Sequence, residues 1–309
     1  LYVYGTQNGG LSTSTDAIRW DNRSSGTVSN INALTYGNGL YVYAGAGGVL
    51  RTSTDAITWD NRTSGTTSVI SALTYGNGLY VCAATGGILR TSTDGITWTS
   101  RTSGTTTQHF ALTYGNGLYI YSGDVGSLAT STDAITWTAR TSGTTSAIFA
   151  LIYGNGVYVF GAAGGGLRTS TDAITWTDRT SGTASNIQAL IYGNSLYVYS
   201  GVGGVLRTST DAITWDNRTS GTTSQLNALT YGNELYVYAG VGGVLRTSTD
   251  AITWDNRTSG TASNIQALTY NNGLYVYAGV GGVLRTSTDA ITWDLRTSGT
   301  TSQLNALTY

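Results

Sequence analysis

The sequence predicts an all-β fold, an eight-bladed β-propeller in which each blade is a sheet of four antiparallel strands. Three observations predict it. A unit of 39 residues occurs eight times without an insertion, as the spacing of Asp16, Asp55 and Asp94 shows. Each unit holds four short β-rich runs separated by tight turns, and the two ends of the chain together complete one unit. Units of this length built from short strands are typical of radial or stacked repeats.

Residues 30–68 show the order of the predicted strands within one unit. The segment NINALTY is followed by the turn GNG, then by LYVYAG, a glycine loop, VLRTST, a turn at Asp55, ITWDNR and the loop TSGTTS. Asn and Gly tolerate the positive φ that a two-residue hairpin needs. The LYVY run is apolar on both faces, so it has to be covered on both sides. Blades packed between two neighbours meet that requirement.

The ends of the sequence predict how the ring closes. The chain starts at LYVY and stops at ALTY, so eight whole units lack only one GNG turn. If NINALTY is the innermost strand, the amino-terminal segment supplies strands two to four of one blade and residues 303–309 supply its first. Such pairing removes exposed sheet edges. We therefore expect a single domain over residues 1–309, and tight turns between successive strands disfavour the main alternative, a parallel β-helix.

The composition excludes several classes of partner. The formal net charge is −1, and all 15 cationic side chains are Arg, with no basic block. The electrostatic attraction that nucleic acid or an anionic membrane requires is therefore missing. No apolar run approaches the ~18 residues of a membrane helix, so we expect neither nucleic-acid binding nor membrane insertion. The single cysteine, Cys82, stands where most units have Tyr, and we expect it to be buried rather than reactive.

The segment STDAITW at residues 53–59 resembles the Asp-box of BNR-type, sialidase-like repeat propellers, whose pattern is Ser-x-Asp-x-Gly-x-Thr-Trp. It is one residue shorter, and only the copy at residues 92–98 has the Gly. The resemblance implies a propeller but not an enzyme, because a fold does not fix a function. It also implies that the motif forms the turn between the third and fourth strands, away from the ligand, with a structural aspartate in each unit: Asp16, Asp55, Asp94, Asp133, Asp172, Asp211, Asp250 and Asp289.

The physical role expected of Asp55 is to accept hydrogen bonds from the N–H groups of its own turn. Trp59, two residues beyond Ile57, is expected to share the face of Ile57 and to pack. Each turn offers one carboxylate where calcium normally gathers several oxygens, so we expect no metal. An arginine equivalent to Arg62 occurs in every unit and one equivalent to Arg51 in six of the eight. We expect them to bind carboxylates and strand-end carbonyls. The alternative is a ring of guanidinium groups for anionic sugars.

The catalytic residues that the resemblance would imply are not reproduced. Sialidases of this fold use an arginine cluster, a Tyr nucleophile activated by a Glu, and an Asp as acid or base. The one glutamate here, Glu234, lies in a hairpin turn on the Asp-box side of the ring. The single histidine, His109, takes a position that Ile31 holds in another unit, and Asp124 is the one carboxylate near enough in sequence to orient it. We expect no catalytic residue and no cofactor, with a degenerate glycoside hydrolase as a distant alternative.

Differences between units concentrate at the start of the inner strand and in the loop after LYVY, which the topology brings to one face. Alternation places the inner-strand residues on one side, towards the channel mouth, where amides can bind neutral sugar hydroxyls and two Phe rings can cover a sugar face. The alternative is that these amides only solvate a wide channel. The predicted ligand-binding residues are Asn30, Asn32, Gln108, Phe110, Phe149, Asn186, Gln188, Gln225, Asn227, Asn264, Gln266, Gln303 and Asn305.

These observations predict a non-catalytic binding module with repeated shallow sites for glycans or for a surface protein. We expect it outside the cell or on a surface, with the ring itself monomeric. Residues 235–255 and 274–294 are identical, so weak sites present in several copies would bind with avidity. The alternative is a purely structural propeller, such as a decoration of a virion or surface filament, an adhesin spacer or an engineered symmetric scaffold.

Overall fold

Eight four-stranded antiparallel sheets make up the computed structural model, which describes residues 1–308. In chain order the first sixteen strands are β1 (Tyr2–Thr6), β2 (Leu11–Ser14), β3 (Asp21–Arg23), β4 (Ile31–Gly37), β5 (Leu40–Gly45), β6 (Leu50–Ser53), β7 (Asp60–Asn61), β8 (Ile70–Gly76), β9 (Leu79–Ala84), β10 (Ile88–Ser92), β11 (Thr99–Thr102), β12 (His109–Gly115), β13 (Leu118–Gly123), β14 (Leu128–Ser131), β15 (Thr138–Ala139) and β16 (Ile148–Gly154).

The remaining strands continue the same order. They are β17 (Val157–Ala162), β18 (Leu167–Ser170), β19 (Thr177–Asp178), β20 (Ile187–Gly193), β21 (Leu196–Gly201), β22 (Leu206–Ser209), β23 (Asp216–Asn217), β24 (Leu226–Gly232), β25 (Leu235–Gly240), β26 (Leu245–Ser248), β27 (Asp255–Asn256), β28 (Ile265–Asn271), β29 (Leu274–Gly279), β30 (Leu284–Ser287), β31 (Asp294–Leu295) and β32 (Leu304–Thr308). Short 3₁₀ turns join the second and third strands at Gln7–Gly9, Ala46–Gly48, Asp124–Gly126, Ala163–Gly165, Val202–Gly204, Val241–Gly243 and Val280–Gly282.

Each sheet is one blade, and its strands pair in the order of the chain. Blade 2 is β4 to β7, and blades 3 to 8 follow in groups of four up to β31. Blade 1 combines both chain ends, in the order β3-β2-β1-β32. The register pairs Val3 with Thr308 and Tyr4 with Leu307. The predicted eight-bladed propeller, closed by pairing of the terminal strands, is therefore confirmed.

The first strand of each blade lies innermost. Around the whole ring, the first strands of neighbouring blades contact each other, from β4 against β8 to β32 against β4. The prediction that the NINALTY segments line the axis is therefore correct. Within residues 1–308 no helix is long or apolar enough to cross a lipid bilayer.

The second strands supply the core, because both of their faces are covered. In β5, Tyr41, Val42 and Tyr43 are all buried. Val42 of blade 2 belongs to the same apolar cluster as Ile70 and Tyr80 of blade 3. Each core therefore lies between two blades rather than within one, and burial of these side chains stabilises the ring as a whole.

Tyrosine hydroxyls add hydrogen bonds between blades. Tyr43 of blade 2 donates to the carbonyl of Ser25 in the loop before it, at 2.5 Å. Tyr197 of blade 6 donates to the carbonyl of Gly154 in blade 5, also at 2.5 Å. Each of these bonds gives a hydrogen-bond donor to a carbonyl that packing shields from water. A net stabilisation of about 1 kcal/mol for each bond is typical.

The hairpin between the first two strands has the predicted backbone. Asn38 and Gly39 have φ of 47° and 76°, which lie in the left-handed region. Glu234 replaces the glycine of this turn in blade 7 and still has a φ of 60°. A side chain at this conformation is strained, because its Cβ approaches the backbone.

Replacing Glu234 by Gly should raise the free energy of unfolding by about 0.5–1 kcal/mol, because relief of left-handed strain exceeds the entropy that glycine adds to the unfolded chain. The matched control is Gly273→Glu in blade 8, which should lower it by a similar amount, since nothing lies within 4 Å of a Cβ built there. Urea denaturation measures both. Unchanged midpoints in the two variants would contradict this interpretation of the turn.

Deleting residues 304–309 should lower the melting temperature sharply, because β1 loses its partner and the cores on both sides of blade 1 open. A synthetic peptide of residues 303–309 should restore the melting temperature in a concentration-dependent way, since it binds the folded ring in place of β32. Calorimetry with and without the peptide is the measurement. A truncated protein that melts like the full chain would show that closure contributes little.

Candidate functional site

The ring has two chemically different faces. The turn face carries the two-residue hairpins and the Ser-Thr-Asp turns, because both connect strands at the same end of each blade. The loop face carries the starts of the first strands, the 3₁₀ turns and the loops between blades. At this face the N–H of Ala46 donates to the carbonyl of Asn30 at 2.9 Å. The two segments that differ between units therefore meet, as the sequence predicts.

A β-bulge shapes the start of each inner strand. In β4 the pairing register jumps between Ile31 and Ala33, so Asn32 is the extra residue. Asn30 precedes the strand, and both amides are partly exposed on either side of the buried Ile31. Strand alternation is therefore not what places the two amides together, since one lies outside the strand and the other in the bulge.

The amides that precede the inner strands bind the neighbouring blade. The Oδ1 of Asn30 accepts the N–H of Asn8 at 3.1 Å. In blade 8, the Oδ1 of Asn264 accepts the N–H of Gly242 at 3.0 Å. The same bond joins Asn186 to the 3₁₀ turn of blade 5. These side chains hold one blade's strand start against the turn of the preceding blade.

The amides at the bulge positions bind the following blade instead of the preceding one. The Nδ2 of Asn227 donates to the carbonyl of Ile265 in the next blade at 2.9 Å, and the Nε2 of Gln225 donates to the Oδ1 of Asn227. Gln303 and Asn305 form the same pair at 3.0 Å. These contacts could not be predicted from the sequence, because the acceptor is a main-chain carbonyl of another unit. Within residues 1–308, the side-chain amides of Gln108, Gln188 and Gln266 form no hydrogen bond with another residue.

Two aromatic rings interrupt this polar series. Phe110 of blade 4 and Phe149 of blade 5 occupy the bulge positions, and their ring centroids are 5.5 Å apart with an interplanar angle of 53°. Both rings are partly exposed. We call them the phenylalanine pair. The structure thus brings together two predicted ligand residues that come from different units.

Shallow depressions repeat along the outer part of the loop face. One has a volume of ≈620 Å³ and lies between the Gly87 turn, Arg90, Arg101 and the loop after it. A second, of ≈630 Å³, is formed by residues 140–145 of blade 4. Both are open grooves lined by hydroxyls, guanidinium groups and main chain.

The recurrent arginines have partners within the blades. Arg62 donates from Nη2 to Asp60 and from Nε to Thr52, both at 2.8 Å. Arg51 donates from Nη2 to the carbonyl of Gly26 at 2.5 Å. These contacts agree with the interpretation that the arginines serve strand ends and carboxylates.

The Ser-Thr-Asp turn is organised by its carboxylate. The Oδ1 of Asp55 accepts the N–H groups of Ile57 and Thr58 at 2.8 and 2.9 Å, and the hydroxyl of Ser53 at 2.9 Å. The equivalent bonds from Thr214 and Ile213 lower the pKa of Asp211 to about 2. The carboxylates of these turns are therefore ionised at neutral pH, and their Oδ1 atoms are occupied by their own turns. In Asp55 and Asp211 the Oδ2 atom also accepts a hydrogen bond from the Thr hydroxyl of the turn, at 3.1 Å.

The expectation that Ile57 and Trp59 share a face is wrong. Ile57 is 49% exposed whereas Trp59 is buried. Residues 54–58 form a turn rather than a strand, so alternation does not apply there. Trp59 instead donates from Nε1 to the carbonyl of Ala56 at 3.0 Å and packs against Tyr43, with ring centroids 4.9 Å apart.

The single histidine and cysteine are both core residues. His109 is fully buried against Tyr121, with ring centroids 4.2 Å apart, whereas the side chain of Asp124 is exposed. Burial lowers the pKa of His109 to about 4, against an opposing effect of the Ile88 and Ala84 main chain.

Burial also raises the pKa of the Cys82 thiol to about 12, which agrees with its predicted unreactive position. Glu234 lies in its hairpin on the turn face, at the opposite end of the ring from the phenylalanine pair. Residues 1–308 contain no group of three or more His, Cys, Asp or Glu side chains placed to hold a metal ion.

The model of the DUF6242 beta propeller domain matches residues 29–149 and 133–258 of the chain. The chain belongs to this family. No curated protein matches the sequence of this DUF6242 propeller.

Solved structures resemble the DUF6242 propeller in fold. The crystal structure of the computationally designed Ika8 protein has a TM-score of 0.74 at 16% identity, and the match covers 98% of this chain and 92% of that one. The structure of YCF48 bound to D1 peptide has a TM-score of 0.65 at 18% identity, covering 82% and 90%. YCF48 from Cyanidioschyzon merolae has a TM-score of 0.62 at 16% identity, covering 82% and 94%.

The buried histidine gives the DUF6242 propeller a defined pH dependence. The folded-state pKa of His109 lies below the unfolded value of 6.5, so the unfolded chain binds the extra proton. The free energy of unfolding should therefore have its full value above about pH 6.5 and be lower by about 3 kcal/mol at about pH 4. His109→Ile, which copies other blades, should remove this loss. Urea midpoints across that range measure it, and parallel pH profiles for the two proteins would refute it.

Proposed function

We propose that the chain is a non-catalytic binding module whose principal site is the phenylalanine pair on the loop face. One observation carries this proposal: Phe110 and Phe149 contact each other, partly exposed, at a position where the other blades have Asn, Ser or Gln. In a ring made of repeated units, this is where an aromatic surface replaces polar side chains. Exposed rings held in contact favour binding over solvation.

A carbohydrate suits this surface. The apolar face of a sugar ring can lie on Phe110 or Phe149, while the amide of Gln108, which the blades do not use, can bind a hydroxyl. The open depressions along the loop face would act as secondary sites, and several weak sites together give avidity. We extend the proposal to a role outside the cell or on a surface, where glycan-coated targets occur.

A protein partner could bind at the same site in place of a carbohydrate. The phenylalanine pair equally accepts an apolar side chain of a peptide. The structurally similar YCF48 has been determined with D1 peptide bound, which supports a search for peptide ligands of this propeller as well.

The distribution of acid and base groups supports a non-catalytic role. The carboxylates of Asp55 and its equivalents serve their own turns on the opposite face, in the manner of an Asp-box. His109 is buried beneath Tyr121. General acid–base catalysis normally needs a pair of such groups beside the ligand. On the loop face Asp124 is exposed next to Gln108, but His109, its nearest possible partner in the sequence, is buried.

A purely structural propeller is the alternative, and the amide contacts favour it. The side chains of Asn30 and Asn227 bind neighbouring blades instead of facing an open site. The similar fold of the computationally designed Ika8 protein is compatible with this alternative.

The test uses Phe110→Gln combined with Phe149→Gln, which copies the Gln of blades 6 and 8 and so should preserve the fold. The protein, presented as a multivalent complex, should bind members of a glycan array or a peptide array, and the double variant should lose at least about tenfold in affinity. The matched control is Gln188→Ala combined with Gln266→Ala, which should bind like the parent protein.

The two arrays distinguish a carbohydrate ligand from a protein partner. Glycan binding that depends on the phenylalanine pair supports the carbohydrate ligand, and peptide binding with the same dependence supports the protein partner. Binding that survives in the double variant would overturn the site. No binding to either array would leave the structural propeller as the better account.

A further inference from the structure

A cavity of ≈250 Å³ lies on the turn face between blades 5 and 6, away from the phenylalanine pair. Blade 5 contributes Val157, Asp172 and Arg179, and blade 6 contributes Asp211 and Ile213. Its walls thus combine a guanidinium group, two carboxylates and apolar side chains. Ligand sites typically have this mixture of convergent polar groups on an apolar surface.

The first cause of the cavity is a smaller side chain in blade 5. The position equivalent to Val157 is Leu in the other blades, and Leu118 of blade 4 packs against the cluster that contains Ala173 of blade 5. Val157 takes this place in blade 5, against the cluster that contains Ala212 of blade 6. Because Val is one carbon shorter than Leu, it leaves space beneath the turn of blade 6.

The second cause is the loss of a carboxylate. In blades 2 and 7, Arg62 and Arg257 each pair with the Asp two residues earlier at 2.8 Å. In blade 5 that position is Thr177, and Arg179 forms no ion pair within residues 1–308. Its Nε donates to the hydroxyl of Thr169 at 2.7 Å, which holds the guanidinium in place. The Nη groups are left for another acceptor.

Blade 5 is the one blade in which both changes occur. Blades 3 and 4 also have Thr at the Asp position, as Thr99 and Thr138, but they keep Leu79 and Leu118 at the packing position. Both a vacant carboxylate position and additional space are therefore found beside Arg179.

Two of the lining side chains carry negative charge. Asp172 and Asp211 each use Oδ1 to accept the N–H groups of their own turns. These bonds lower the pKa of both side chains to about 2. Ile213, in the turn of Asp211, is 50% exposed. These two carboxylates would repel a ligand that carries only a carboxylate, whereas they would attract a ligand that also carries a cation.

We propose that this cavity, the blade 5–6 site, binds a small zwitterion of the α-amino acid class with a branched apolar side chain. The ligand's carboxylate takes the place of the missing Asp carboxylate at Arg179, as Asp60 does at Arg62. Its ammonium group lies towards Asp172 and Asp211. Its apolar side chain fills the space that Val157 leaves.

The experiment follows the isoleucine methyl groups by NMR, because every blade has an equivalent Ile in its turn. Adding L-leucine should shift the signal of Ile213 in a saturable way and leave that of Ile252 unchanged. Leucinamide, which lacks the carboxylate, and N-acetyl-leucine, which lacks the ammonium group, should each bind at least about tenfold more weakly.

Two variants test the origin of the site. Val157→Leu combined with Thr177→Asp copies the other blades, so it should keep the melting temperature and abolish the shift of Ile213; Thr177→Asp alone should weaken binding by supplying an internal carboxylate. Thr138→Asp in blade 4 is the matched control and should leave leucine binding unchanged.

The proposal is overturned if leucine does not shift Ile213 up to its solubility limit, if Ile252 shifts equally, or if leucinamide binds as well as leucine. Binding that persists in the combined variant would also overturn it. These outcomes are independent of the array experiments, since the phenylalanine pair lies on the other face.

Discussion

The structure depends on one constraint: the second strand of each blade is apolar on both faces and has to be covered by two neighbours. Val42 and Ala44 of blade 2 are buried with Ile70 of blade 3, and the same arrangement recurs around the ring. A blade separated from its neighbours would expose both faces to water. The four-stranded sheets are therefore stable only as a closed set, and pairing of β1 with β32 completes that set.

Much of this architecture could be predicted from the sequence, because the relevant signals are local and repeated. The Asn38-Gly39 hairpin requires positive φ at both residues, and the structure has it. The two-sided apolar pattern of LYVY indicated blades packed face to face. The alternation argument failed at Ile57, because a strand pattern was extended into a turn. Alternation also does not explain the placement of Asn30 and Asn32, because Asn30 lies before the strand and Asn32 lies in a β-bulge.

The sites were less predictable, for a physical reason. Whether Asn227 faces a ligand or binds the carbonyl of Ile265 depends on how closely two blades approach, which no single unit encodes. The cavity beside Arg179 depends on Val157 and Thr177, two substitutions within blade 5, and it is closed by Asp211 and Ile213 only when blade 6 packs against that blade. The phenylalanine pair was easier to foresee, because the equivalent positions of adjacent units are neighbours in any ring of this kind.

The side-chain bonds between inner strands also bear on how the chain reaches its native state. Asn227 and Ile265 are 38 positions apart, whereas the equivalent bond from Asn305 to Ile31 joins residues 274 positions apart. Contacts between successive units can form early, since they close short loops, but the final interface has to bring together segments from opposite ends of the chain. Assembly of the ring thus ends in one non-local step, and until then blade 8 and the sheet of β1 to β3, which packs on blade 2, each keep one flank open to other chains.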